Sequence, residues 1–228
     1  MPADMVIARS WWTRGRPFTL AELVADGVVH GIGIAATLVL GALLLRWAGP
    51  TASVPEMVAL ITYLTTLLAV LAISMAFNLC PITSRWKRPL ARLDQAAIFL
   101  LIAGTYSPFL VFLGPTPLNI GLGVVIWTAA LTGVALKLTV PHRFGRGALA
   151  LYLAIGWSGV LILPALAMHL PPMALWLLIG GGLTYSVGVI FHIWEKLNFH
   201  NAVWHGFVVV ASCLQLVSML DVMVLSRV

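Results

Sequence analysis

Five stretches of this chain carry no Asp, Glu, Lys or Arg: residues 27–45, 57–84, 95–136, 147–194 and 197–220. A helix needs about 20 apolar residues to cross the hydrocarbon of a bilayer. The first, second and fifth stretches, 19, 28 and 24 residues long, hold one crossing each. The other two, 42 and 48 residues long, must hold two each. Their interiors are interrupted by Gly114-Pro-Thr-Pro117 and His169-Leu-Pro-Pro172, where turn chemistry ends a helix. The reading is an all-α bundle of seven transmembrane helices in one domain over residues 1–228, with 1–20 as a cytoplasmic lead-in. Composition agrees: charged residues are 9% of the chain, against about 25% in soluble domains.

Orientation follows from where the basic residues fall, since cytoplasmic loops carry the excess of Lys and Arg. Of the 13 such residues, only Arg46 and Arg227 lie on one side. The rest (Arg9, Arg14, Arg16, Arg85, Lys87, Arg88, Arg92, Lys137, Arg143, Arg146 and Lys196) share the other. That places the amino terminus in the cytoplasm and the carboxy terminus outside, in a multi-pass protein of the cell (inner) membrane. The net charge of +6 sits in these loops. It reads as a topology signal and an attraction to anionic lipid headgroups. Nucleic acid is not an expected partner, because the basic residues are not interleaved with stacking aromatics on a soluble surface. Cys80 and Cys213 form no spacing motif; with Cys80 near the cytoplasmic face, free thiols are expected.

Polar residues inside such spans are costly and mark functional sites by default. They collect at one depth. Ser74 and Asn78 close the second span at spacing i, i+4; Asp94 and Gln95 open the third, expected over about 95–113; Asn201 and His205 open the seventh. Of the six histidines, His30, His142, His192, His200 and His205 fall at or near cytoplasmic ends, and His169 is external. Glu22, Asp26 and His30 share one face of the first helix. Two readings stay open for them. The acids sit in the headgroup region with His30 satisfied inside the bundle, or all three join a polar site. Pro164 is expected to kink the fifth span, and Gly180-Gly-Gly182 with Gly188 to allow close helix approach in the sixth.

Asp94 with Ala97-Ile-Phe-Leu-Leu-Ile-Ala-Gly-Thr-Tyr-Ser-Pro-Phe109, and later Ala202-Val-Trp-His205, resemble the bacterial hemolysin III family. That family belongs with the progestin and adipoQ receptors. The likeness runs from Glu22 and His30-Gly-Ile-Gly33 to Cys213-Leu-Gln215. It implies seven helices with an inner amino terminus, and in the receptors a zinc ion at the inner leaflet. Position by position, the resemblance places the zinc ligands at Asn78, Asn201 and His205, a serine at Ser74, and an aspartate holding the metal's water at Asp94. Ser74 and Asp94 are therefore the candidate catalytic residues, with His30 and Gln95 as further polar members. Two of the three ligand positions hold asparagine, and Gln95 and Gln215 stand where relatives usually show histidine. Zinc prefers imidazole, thiolate and carboxylate to a neutral amide oxygen. Two alternatives follow. Zinc is held with help from His30 or His192, or Asn78, Asp94, Asn201 and His205 form a metal-free polar network.

The function classes divide in the same way. With zinc, the resemblance implies hydrolysis of a lipid amide of the ceramide type, a metal-bound water attacking the carbonyl with Asp94 as base or orienter. Without it, the chain is a non-enzymatic protein of membrane lipid homeostasis or sensing. Membrane lipids are the expected partners in both cases, and a homo-oligomer is left open. Transport is disfavoured, since no ionisable pair lies deeper than the inner-leaflet set.

Overall fold

The structure, a computed structural model, describes residues 18–141 and 146–227. Arg9, Arg14, Arg16, His142 and Arg143 of the sequence reading fall outside them. Among the described residues all regular structure is helical: α1 (Leu20–Ala48), α2 (Val54–Leu79), α3 (Lys87–Phe112), α4 (Pro117–Thr139), α5 (Arg146–Trp157), a 3-10 turn (Ser158–Ile162), α6 (Leu163–His169), α7 (Pro172–Ile193), α8 (His200–Met223) and a final 3-10 turn (Leu225–Arg227). With α5 to α6 counted as one crossing, seven helices are long and apolar enough to span a membrane. Helices suit that solvent because every backbone hydrogen bond is made within the segment. Large apolar side chains such as Val24, Ile32, Val124, Leu161 and Ile190 are more than half exposed. In water such a girdle would be a liability; against lipid it is the boundary of the protein.

Helix starts are capped as their sequences allow. Thr19 and Glu22 form a capping box on α1, and Ser53 and Glu56 form one on α2, which also has a proline in its first turn. Arg227 at the chain's end pairs with Glu56, tying the far end of α8 to the start of α2. Neighbouring helices follow the order α4, α3, α2, α1, α8, α7 around the bundle, and the α5–α6 span closes the gap between α3, α4 and α7 with sparse contacts. The seventh span is the most enclosed, with 61% of its most apolar window buried, against 17% for the fifth and sixth.

Two details differ from the sequence reading. Helix α3 begins at Lys87 rather than at Gln95, so Arg88, Arg92 and Asp94 lie within its first turns. A helix need not stop where the hydrocarbon does. Lys87 bends its Nζ back to the carbonyl of Phe77 at 2.6 Å, helping to satisfy the open end of α2. Lys137, counted above as a loop charge, sits in the last turn of α4 and is only 2% exposed. Its Nζ donates to Gln95 Oε1 at 2.6 Å.

The expected irregularity in the fifth span is present. Pro164 lacks an N–H and its ring crowds the carbonyl four residues back, and the chain passes through the 3-10 turn just before it. Tyr106 on α3 repairs the break. Its hydroxyl donates to the carbonyl of Gly156 at 2.7 Å and accepts from the N–H of Gly159 at 2.6 Å. Tyr106→Phe should therefore cost about 1–3 kcal/mol, the cost of orphaning buried polar groups. The check is a lower melting temperature in detergent, with faster amide exchange confined to the turn around Gly159.

The sixth-span glycines divide. A Cβ on Gly188 would lie 2.8 Å from the Cβ of Phe207, and one on Gly181 3.2 Å from the carbonyl of Ala211, so α7 and α8 approach closely there. A Cβ on Gly182 would meet nothing within 4 Å, because that residue faces the cavity described next.

Candidate functional site

A cavity of about 1210 Å³ runs through the middle of the ring, lined by residues of every span. It exceeds the roughly 300–1,000 Å³ usual for drug-sized ligands. Most of its wall is apolar: Val70, Leu101, Ile102, Leu178 and Val208 among others. Many of its polar residues gather where α2 ends and where α3 and α8 begin (Ser74 and Asn78, Asp94 and Gln95, Asn201 and His205, with Lys137 from the end of α4), while Thr105, Tyr106, Tyr185, Ser186 and Gln215 line it deeper in the spans.

One hydrogen-bonded chain joins four of these side chains to Asp26 across three helices. Asn201 Nδ2 donates to Asn78 Oδ1 at 3.0 Å. Asn78 Nδ2 donates to the Ser74 carbonyl at 2.9 Å and reaches Ser74 Oγ at 3.3 Å. Ser74 Oγ lies 3.3 Å from His205 Nε2, and His205 Nδ1 lies 2.6 Å from Asp26 Oδ1. The carboxylate can only accept, so Nδ1 carries a proton. In the neutral imidazole Nε2 is then an acceptor, and the serine proton points to it. Every donor in the chain runs one way, from Asn201 to Asp26.

The ends of α1 and α8 are fixed against each other one turn away. Glu22 Oε2 accepts from the N–H and hydroxyl of Thr19, while Oε1 accepts from the N–H of Phe199 at 2.9 Å. Phe199 has φ 59°, a left-handed conformation that a non-glycine residue adopts only when its surroundings enforce it. Glu22 therefore pins the turn before α8, and this sets the depth at which His205 meets Asp26. Of the two places left open for Glu22 and Asp26, both are buried in the bundle, at 5% and 2% exposure. His30 is fully buried; its Nδ1 donates to the Asp26 carbonyl at 2.8 Å and its ring lies 4.3 Å from that of His205.

The remaining candidates stand on α3 and α7, the helices that flank α2 and α8. Asp94 is half-buried on α3 and lines the same cavity, as does His192 on α7. Gln95 takes the Lys137 ammonium on its side chain and the Tyr152 hydroxyl on its carbonyl, the latter at 2.6 Å. Asp26, left open between the headgroup region and a polar site, is the acid that joins the bonded chain. Its signal was there: an acid two turns inside a helix, four residues from a histidine. Cys80 and Cys213 are free, as expected.

The positions at which the resemblance places zinc ligands do not fit that ion. Asn78 and Asn201 are bonded to each other, and the one imidazole of the set has Nδ1 turned to Asp26 and Nε2 to Ser74. A different group has the right chemistry. Asp26, His30 and His205 offer a carboxylate oxygen and two imidazole nitrogens within 4.8 Å of one another. Asp26 Oδ2 and His30 Nε2 are both buried without a hydrogen-bond partner.

Comparison with known proteins agrees with this architecture. The family model described as "Haemolysin-III related" matches residues 18–216. The chain is 35% identical over 194 residues to the "Hemolysin-3 homolog" of Bacillus subtilis (strain 168), covering 84% of this chain and 89% of that protein. To the "Hemolysin-3" of Bacillus cereus it is 33% identical over 193 residues, covering 85% and 88%. A more distant likeness, 29% over 122 residues and about half of each chain, links it to the "Monocyte to macrophage differentiation factor" of Homo sapiens, of the progestin and adipoQ receptor relationship. A match over most of the chain, carried by spans that build one ring around a cavity, makes this multi-pass membrane protein a member of the hemolysin III family.

Proposed function

We propose that this protein takes a membrane lipid into its central cavity and acts in membrane lipid homeostasis or sensing, from a polar site in the inner leaflet of the cell membrane. The cavity carries the reading. It is large, mostly apolar along its walls and charged at one end, which is the chemistry of a lipid with its tail in hydrocarbon and its headgroup at the interface. The loosely packed fifth span offers a side entrance from the bilayer. The distribution of Lys and Arg supports a cytoplasmic polar end, with the amino terminus inside and the carboxy terminus outside.

The test uses Gly182, which faces open space within the cavity. Protein purified in mild detergent should carry a co-extracted lipid detectable by mass spectrometry, and Gly182→Phe should lose it without a lower melting temperature. Equal lipid content in both proteins would sink the reading.

A second reading, a zinc-dependent lipid amide hydrolase, is favoured by the two unpartnered buried atoms, Asp26 Oδ2 and His30 Nε2. Asp26, His30 and His205 would hold the metal, and Asp94, which lines the same cavity, would orient the substrate. The chemistry a zinc ion supplies there is a bound water acidic enough to attack an amide carbonyl at neutral pH. Zinc and the hydrogen-bonded chain compete for His205, whose Nε2 faces Ser74 and whose Nδ1 faces Asp26. Elemental analysis separates them: one zinc per chain, lost in His30→Ala, supports the hydrolase, and metal far below stoichiometry removes it.

A further inference from the structure

Most helical Ser and Thr hydroxyls of this bundle bond within their own helix; Ser218, which donates to the Ala174 carbonyl of α7, and Ser74 bond to another helix instead. Thr37, Thr62, Thr105, Ser107, Thr139, Thr184, Ser186 and Ser212 each donate to the carbonyl four residues back in their own helix. This is the usual resting place of a helical Ser or Thr. Ser74 is bonded across the bundle instead, with Oγ 3.3 Å from His205 Nε2 and its other close partner the Asn78 amide. Behind His205 stands Asp26 at 2.6 Å from Nδ1, at 2% exposure. Nucleophile, base and orienting carboxylate come from α2, α8 and α1, and no stretch of sequence joins them. The order Oγ, Nε2, Nδ1, carboxylate is the arrangement that activates a serine in unrelated hydrolases, recognised by geometry and not by sequence position. Ser74 and His205 line the cavity, so a lipid carbonyl entering the polar end meets Oγ.

We propose that Ser74, His205 and Asp26 form a metal-independent acyl-transfer site that cleaves a long-chain carboxylic ester drawn from the bilayer. The inference rests on the lipid-binding reading above and names what happens to the bound lipid. Ser74 Oγ bonds to the ester carbonyl carbon as its proton passes to His205 Nε2. The carbon–oxygen bond to the alcohol part then breaks, and that oxygen leaves with the proton from Nε2. Water next attacks the acyl-serine, giving a proton to Nε2; the bond to Oγ breaks, the proton returns to Oγ, and a free fatty acid departs. Asp26 is the positioning residue: it holds Nδ1–H and offsets the positive charge that His205 carries between the two proton transfers. Asn78 Nδ2, 3.3 Å from Oγ, would supply an amide donor beside the reacting carbonyl as negative charge develops on its oxygen.

The experiment uses the full chain in detergent micelles and a fluorophosphonate bearing a long alkyl chain, which phosphonylates activated serines. Expected is one adduct per chain, mapped to Ser74 by tandem mass spectrometry and insensitive to chelators. His205→Gln, which keeps a donor toward Asp26, and Asp26→Asn should each slow labelling by about 100-fold or more, the scale of general-base assistance. Both variants should retain co-purified lipid, a readout that a purely structural role would disturb together with labelling. An adduct elsewhere, labelling at Ser74 unchanged by His205→Gln, or labelling abolished by chelator overturns the site. No labelling of a protein that still carries lipid overturns the acyl transfer and leaves the lipid-binding reading standing. Absence of both lipid and label removes the two together.

Discussion

Replacing His205 by leucine should destabilise the protein by about 3–5 kcal/mol, the usual cost of leaving a buried carboxylate without the group that compensates it. The reason lies in what stays behind. Asp26 is 2% exposed, its Oδ1 bond is to His205, and its Oδ2 has no hydrogen-bond partner. Without the imidazole, a carboxylate is left in an apolar interior with neither oxygen bonded by a side chain of α8. The reverse change is gentler. Asp26→Leu leaves a neutral imidazole, which can move its proton to Nε2 and donate to Ser74, so the loss should be about 1–3 kcal/mol. Removing both should recover much of the larger loss, because two apolar side chains of similar shape leave no polar group stranded. Three melting curves in one detergent decide it. The expected order, from least stable, is His205→Leu, then the double variant and Asp26→Leu close together, then the parent. A double variant less stable than His205→Leu would mean that the pair is not coupled.

Why the sequence announced the bundle and not this pair is a matter of what each pattern encodes. Charge-free runs and Pro/Gly breaks report on a chain's relation to solvent, and a membrane makes that relation uniform enough to count seven crossings. Spacing of i, i+4 then shows that Ser74 and Asn78, or Asn201 and His205, share a face. It does not show which helix that face meets. Asp26 and His205 are 179 residues apart, and only the ring order, with α1 beside α8, brings them together. The same limit explains Lys137. A lysine at the end of an apolar run reads as a loop charge, yet its long stem lets the ammonium turn inward to Gln95. The resemblance pointed to Asn78, Asn201 and His205 as one cluster, and the coordinates bring those three side chains into a single bonded chain with Asp26 at its end, while Asp94 lines the same cavity from α3. The start of α3 escaped because helices continue past the hydrocarbon into the headgroup region, where charged residues are welcome.

The other wall of the cavity rests on one ring. Phe99 is fully buried on α3, 4.4 Å from the ring of Tyr152 on α5, and a Cβ on Gly133 of α4 would lie 2.5–2.6 Å from its Cζ, Cε1 and Cε2. Phe99 thus fills the gap that a glycine leaves open, and it cannot retreat because Tyr152 stands close by. Phe99→Ala should cost about 3 kcal/mol. That is the lower end of the range for aromatic truncation in soluble cores, since lipid tails are as apolar as the ring and the loss is of packing rather than of water exclusion. Gly133→Ala alone should also destabilise, by about 1–3 kcal/mol, through overpacking. Combined, the two changes should cost clearly less than their sum, because the new methyl occupies space the ring has left. The consequence reaches the site through α4 and α5: Lys137 lies one turn beyond Gly133, and the Tyr152 hydroxyl donates to the Gln95 carbonyl. Loosening Phe99 should therefore free Lys137 and Gln95 from each other, seen as faster exchange or new chemical reactivity at Lys137. Strict additivity of the two substitutions, with Lys137 still protected from an amine-reactive reagent, would show that Phe99 and Gly133 do not share a gap and that the far wall is held by something else.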